Sequence, residues 1–185
     1  MKIILASKSP RRTEILSLMG VEHIIIPSTE EEIIESNLSP EEVVKSLAYQ
    51  KARSISKQYP FDLVIGSDTI VVINNQILGK PKDYNDAVKM LKLLQNNTHQ
   101  VMTGVSLIQN NNVDTFVDIA EVTFKEMTKE DIDTYLNLDK PFDKAGAYGI
   151  QDEHANFVKE IKGDYYTIMG LPKNKLQQHL TKFIK

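Results

Sequence analysis

A chain of 185 residues with 41% hydrophobic and 25% charged residues has the composition of an ordinary globular protein, long enough to bury roughly 70% of its unfolded surface without staples. A net charge of −3 argues against the broad basic footprint of a nucleic-acid binder, yet leaves room for cations clustered inside a cleft. Cysteine is absent, which excludes disulfides, thiolate zinc sites and a cysteine nucleophile, and suits a reducing, cytoplasmic setting.

Lys2–Ala6 is a short apolar segment expected as a first strand. Its apolar run is too brief for a signal peptide or for a membrane span of about 20 residues, so no membrane partner is expected. Ser9-Pro10 opens a helix with Pro at its first position, and Gly20 stops it. His23–Ile26 reads as a second strand, followed by the acidic run Glu30-Glu31-Glu32. Ser39-Pro40-Glu41-Glu42 is a capping box, and Val44, Leu47, Ala48, Ala52 and Ile55 form one helical stripe behind it. Lys51 falls inside that stripe, so its ammonium must either snorkel or meet an anion.

Asp62–Ile65 and Ile70–Ile73 read as two buried β segments flanking a small polar loop, Gly66-Ser67-Asp68-Thr69. Asn74-Asn75-Gln76 marks a hairpin turn, Gly79-Lys80-Pro81 a second polar loop, and Asp83–Leu94 a helix. A long antiparallel hairpin follows, from His99–Ile108 through a turn at Asn110–Asn112 to a strand reaching Phe124. Thr128 caps a helix with Ile132, Tyr135 and Leu136 inward, and Lys140–Gln151 is a loop rich in small residues. Asn156–Ile161 and Tyr165–Met169 are expected as strands, and a last helix carries Leu176, Leu180, Phe183 and Ile184. Early alternation of strand and helix followed by hairpins predicts an α/β fold with a mixed central sheet flanked by helices, as a single domain over 1–185.

The polar interruptions hold the chemistry. Ser7-Lys8-Ser9-Pro10-Arg11-Arg12 joins a strand to a helix start, where free backbone N–H groups and arginines suit phosphate. Asp68 together with the Glu30–Glu32 run offers oxygen ligands for Mg²⁺ or Mn²⁺. Each segment also has a plainer reading: a capped helix with solvated arginines, a snorkelling lysine, an acidic turn, a tight glycine loop. Jointly they supply cations for a polyphosphate, acids for a metal and a base, and backbone that a ligand can approach closely. Hydrolysis of a phosphoanhydride needs that set.

Across almost its full length the sequence resembles the Maf family of nucleotide pyrophosphatases. The resemblance lies in Leu5-Ala6-Ser7-Lys8-Ser9-Pro10-Arg11-Arg12, Glu31-Glu32, Lys51-Ala52, Gly66-Ser67-Asp68-Thr69, Leu78-Gly79-Lys80-Pro81, Lys144–Gln151 and Gly170-Leu171-Pro172, all in the family's order. It implies an elongated sheet with two lobes around a cleft, as in inosine-triphosphatase-like proteins, a divalent metal cofactor and a homodimer. It also implies that a nucleoside triphosphate is cut between its α and β phosphates. By the same match Asp68 is the proton acceptor, Glu32 and Asp68 hold the metal, and Lys51, Lys80 and Arg12 are catalytic. Ser7, Arg11, Arg12, Lys51, Lys80 and Lys144 bind substrate, while Arg11, Thr69 and Gln151 set specificity. Arg11 after Pro10, with Gln151 at the loop's end, fits the branch acting on dTTP and UTP. A branch acting on methylated GTP carries an aromatic and Glu at those two positions. The acid motif departs from the family's usual Asp-Glu by reading Glu31-Glu32.

Three rivals stand beside this reading. A non-catalytic nucleotide-sensing regulator of septum formation would keep the fold and drop the chemistry. A nucleic-acid binder would use the same cations, against the charge balance. A phosphatase would release the γ phosphate in place of pyrophosphate.

Overall fold

The computed structural model describes residues 1–184. In chain order the elements are β1 (Ile3–Leu5), α1 (Pro10–Leu18), β2 (Ile24–Ile25), α2 (Pro40–Ser56), β3 (Leu63–Ile73), β4 (Gln76–Leu78) and α3 (Tyr84–Leu94). They continue with β5 (Thr98–Gln109), β6 (Asn112–Phe124), α4 (Lys129–Leu138), a 3₁₀ turn at Ala145–Ala147, β7 (Val158–Lys162), α5 (Tyr165–Met169) and α6 (Lys173–Leu180). The seven strands form one sheet in the order β2-β1-β3-β5-β6-β7, with β4 also paired to β3. β1 runs parallel to both its neighbours and the remaining pairs are antiparallel, so the expected mixed α/β sheet flanked by helices is observed.

The ladder along β3 opens the site. On one side β5 pairs with it continuously, from Val64 opposite Ile108 to Val72 opposite Gln100. On the other side β1 covers only Leu63–Ile65 and β4 only Val71–Ile73. Gly66–Ile70 therefore form an uncovered stretch of strand, a notch in the sheet. The β3–β4 turn that ends the notch has positive φ at both Asn74 and Asn75, the geometry a tight two-residue hairpin requires.

Alternation along β3 divides the core. On one face, α2 lies so close to the sheet that a Cβ on Gly66 would meet Ala48 O at 2.3 Å, and one on Gly104 would meet Val44 O at 2.4 Å. Only glycine admits such backbone approach. The other face carries two separate apolar clusters. Leu63, Ile65, Val105 and Leu107 pack with α1 and α6, whereas Val71, Ile73 and Val101 pack with α3 and α4. Between these clusters the same face presents Ser67, Thr69 and Thr103, a polar waist beside the notch. The two-lobed layout thus follows from where apolar side chains give way to hydroxyls.

The structure corrects two expectations. Gly66–Thr69 is not a loop between two strands but the middle of one eleven-residue strand. Its polar side chains have partners, so they do not break the ladder: Ser67 Oγ donates to Gly170 O at 2.9 Å, and Thr69 meets Thr103 Oγ1 at 2.9 Å. Tyr165–Met169 is the helix α5, not a strand. Its aromatic and β-branched residues favour extended chain, but Asp164 caps the Tyr166 N–H and Gly170 ends the turn in the left-handed conformation, which overrides that preference. Strand β7 runs Val158–Lys162, two residues later than expected at its start.

Candidate active site

A cavity of about 750 Å³ fills the notch. Ser7, Arg11, Arg12, Glu32, Lys51, Asp68, Thr69, Lys80, Lys144 and Gln151 all line it, so every residue to which the family resemblance gives a role comes to this one place. They arrive from separate elements: the β1–α1 junction, the acidic segment before α2, the middle of α2, the notch of β3, the stretch after β4, and the loop around the 3₁₀ turn.

Asp68 projects from β3 towards α2 and forms an ion pair with Lys51. Lys51 Nζ also lies 3.2 Å from Glu32 Oε1. The lysine in the apolar stripe therefore meets anions and does not snorkel. Lys51 and Asp68 side chains are each 16% exposed, sheltered but reachable from the cavity. Of the acidic run, Glu32 lines the cavity, while Glu30 lies outside it, 3.9 Å from Lys57. Neither Glu30 nor Glu31 is part of the lining.

Arg12 is held by three acceptors. Its Nε donates to Gly170 O at 2.8 Å, Nη1 to Ser7 Oγ at 2.9 Å and Nη2 to Thr69 Oγ1 at 3.3 Å. Burial pulls its pKa below the usual arginine value, with nearby Asp68 opposing that pull. The ordinary value is so high that the group remains a cation at neutral pH. Arg11, one residue earlier, reaches Asp143 across the cleft mouth at 3.8 Å. Lys80 is exposed on the cavity rim.

The loop carrying Lys144 and Gln151 is anchored from below. Asp152 Oδ2 accepts from Tyr135 Oη at 2.6 Å and from the Gly149 N–H at 3.0 Å, and its Oδ1 lies 3.6 Å from Lys144 Nζ. Burial and the Asp152 carboxylate push the Tyr135 phenol well above its ordinary pKa, so it serves as a hydroxyl donor. Asp152 and Thr103 were not singled out from the sequence, and Asp143 entered only as part of the small-residue loop, without a role. The signal for Thr103 was a lone hydroxyl inside the buried run Val101–Val105. Asp152 had no signal beyond its position next to Gln151.

Among the described residues no group of three or more His, Cys, Asp or Glu side chains is arranged as a metal cage. Three carboxylates line the cavity: Glu32 and Asp68 are gathered on the Lys51 ammonium, whereas Asp143 is paired with Arg11 and Lys144. Mg²⁺ ordinarily takes one or two carboxylates and completes its shell with water and substrate phosphate, so the pair Glu32 and Asp68 fits such an ion.

Taken together, the mixed sheet, its uncovered notch and the ring of cations around a carboxylate pair define an α/β protein with a cleft suited to a small polyanion. The chain belongs to the Maf-like protein family, whose sequence profile matches residues 2–183. It is 48% identical to a protein of Bacillus cereus named dTTP/UTP pyrophosphatase, over 98% of this chain and 95% of the relative. A Bacillus cytotoxicus protein of the same name is 47% identical with the same coverage. Among solved structures, a HAM1 protein from Coxiella burnetii superposes with a TM-score of 0.56 at 17% identity, covering 98% of this chain and 99% of that one. The Staphylococcus aureus Ham1 protein gives 0.55 at 14% identity with the same coverage. These two likenesses concern the fold alone.

Proposed function

We propose that the cleft hydrolyses dTTP and UTP between the α and β phosphates, releasing the nucleoside monophosphate and pyrophosphate. The observation that carries this is the convergence on one cavity of Asp68, Lys51, Glu32 and Arg12 from four separate segments, in a chain nearly half identical to proteins named for that reaction.

Water is the nucleophile, attacking the α phosphorus as the bond to the bridging oxygen breaks. Asp68 takes the proton from the attacking water, held in position by Lys51. Arg12, Lys51, Lys80 and Lys144 surround the phosphates and stabilise the charge that develops on them and on departing pyrophosphate. Arg12 suits this role because Gly170 and Ser7 fix its plane before substrate arrives. Glu32 and Asp68 would hold Mg²⁺ or Mn²⁺, which when bound offsets phosphate charge and makes the water more acidic. Lys51 joins those two carboxylates and so keeps both turned to the cavity.

Base choice falls to Arg11, Thr69 and Gln151. An amide both donates and accepts, whereas a carboxylate only accepts, so Gln151 can match the alternating carbonyl and N–H edge of uracil or thymine. The same reading takes residues 1–185 as a single Maf-like domain acting in the cytoplasm as a homodimer. The single domain is supported by the one sheet that spans both apolar clusters and the compartment by the lack of cysteine, while the homodimer rests on the family resemblance alone.

Product analysis tests the reaction. With dTTP and Mg²⁺ the protein is expected to release pyrophosphate and dTMP, and EDTA to abolish this. Inorganic phosphate with dTDP would instead mean cleavage at the γ phosphate, and unchanged activity in EDTA would remove the metal.

A further inference from the structure

Thr103 lies directly opposite Thr69 in the β3–β5 ladder, and their hydroxyl oxygens are 2.9 Å apart. The direction of that hydrogen bond follows from its surroundings. At one end Arg12 Nη2 contacts Thr69 Oγ1, and a guanidinium only donates. At the other end Thr103 Oγ1 lies 2.7 Å from the Thr167 carbonyl oxygen, which only accepts. Thr103 therefore spends its proton on Thr167, so the proton between the threonines is the one on Thr69. Thr103 and Thr167 are both fully buried, so no water can take over either role. The carbonyl itself is tied down, because the Thr167 hydroxyl donates to Asp118 and Asp118 sits 3.5 Å from Lys175 on α6.

We propose that Thr103 is a positioning residue for base recognition: by taking the Thr69 proton it leaves Thr69 Oγ1 only an acceptor towards the cleft, so the ring atom it meets must carry a hydrogen. The hydroxyl has two lone pairs, one of which accepts from Arg12, and the remaining one is available to a ligand. Uracil and thymine carry a hydrogen on N3, and cytosine presents a bare, accepting N3 at the same place. Thr103 thereby turns a hydroxyl, which by itself suits either base, into a group that selects uracil and thymine over cytosine. Losing the hydrogen-bond donor on the substrate leaves a sheltered acceptor unsatisfied, which is how a polar site discriminates.

This inference rests on the dTTP and UTP reading of the cleft and on Thr69 facing the base. It is tested by kcat/KM for UTP and 3-deazauridine triphosphate with the unaltered protein, where N3–H becomes C–H and the 4-carbonyl becomes an acidic hydroxyl with little change of size. UTP is expected to be favoured by about tenfold or more, since the analogue loses at least this one neutral hydrogen bond. Thr103→Val, nearly the same shape without the hydroxyl, is then expected to shrink the dTTP to dCTP preference by about tenfold, and Thr103→Ser to retain it. Equal use of UTP and its 3-deaza analogue overturns the proposal whether or not Thr103→Val folds. So does an unchanged dTTP to dCTP ratio in a folded Thr103→Val protein. Failure of the wild type to release pyrophosphate from either dTTP or UTP would overturn the functional reading itself, and the inference with it.

Discussion

Lys51 of α2 is ion-paired with Asp68 of β3, and that contact fastens the middle of a helix to the uncovered centre of the sheet. With Glu32 3.2 Å from the same ammonium, loss of the lysine charge leaves two carboxylates facing each other in a sheltered cleft. Breaking a pair that is sheltered but not dry costs about 1–3 kcal/mol. Lys51→Met is accordingly expected to lower the thermal midpoint by several degrees. Asp68→Asn added to it is expected to cost less than the sum of the two single changes. A double-mutant cycle by thermal melting measures the coupling; strict additivity would show that the pair contributes nothing.

Two cations of the cavity are expected to behave differently. Lys80 is exposed on the rim, so Lys80→Ala is expected to cut turnover with little change in stability. Arg12 is bonded to Gly170, Ser7 and Thr69, so Arg12→Ala removes structural bonds as well as charge. The structure thus separates the two changes. Melting curves beside steady-state kinetics distinguish the cases: both variants lose activity, and only Arg12→Ala melts clearly earlier.

The buried His99 makes stability depend on pH. Its ring is 2% exposed, with Nε2 2.8 Å from Tyr148 Oη and aromatic edges from Phe124 and Tyr148 around it. Burial holds its pKa down at about 4, from an ordinary 6.5. Between these values the unfolded chain binds a proton that the folded protein refuses. Stability is therefore full above about pH 6.5, falls as pH drops towards about 4, and is unaffected by this group below that, a loss of up to roughly 3 kcal/mol. His99→Phe is expected to flatten the urea-unfolding midpoint over that window. An equal slope with and without His99 would contradict it.

Much of this architecture was legible in the chain, because local signals and long-range packing agree there. The capping box of α2 and the Asn-Asn hairpin each have one physical solution, and each is found; the lysine in the apolar stripe had two, snorkelling or meeting an anion, and it meets anions. The failures arose where tertiary partners decide. Gly66–Thr69 looks like a loop because it is polar, and only the facing threonine and the Gly170 carbonyl make it strand. Tyr165–Met169 looks like strand because it is aromatic and β-branched, and a cap and a left-handed glycine make it helix. Thr103, Asp118 and Asp152 gain meaning only from strand register and loop anchoring, neither of which one-dimensional spacing contains.

Gln151 sits on the loop that Asp152 and Tyr135 hold in place, exposed to the cavity. Gln151→Glu replaces a donor and acceptor by an acceptor alone, a change expected to lower kcat/KM for dTTP and UTP by about tenfold or more. Competition between pyrimidine and guanine triphosphates is the readout, and an unaltered preference would take base selection away from this residue.

The most direct test compares pyrophosphate release from dTTP with Mg²⁺ by the wild type and by Asp68→Asn, with nucleotide binding measured in parallel by calorimetry. Loss of the proton acceptor is expected to reduce turnover by about a hundredfold or more while dTTP still binds. Equal turnover by Asp68→Asn, or dTTP bound by the wild type without any pyrophosphate appearing, would contradict the assignment of this cleft as a pyrophosphatase site.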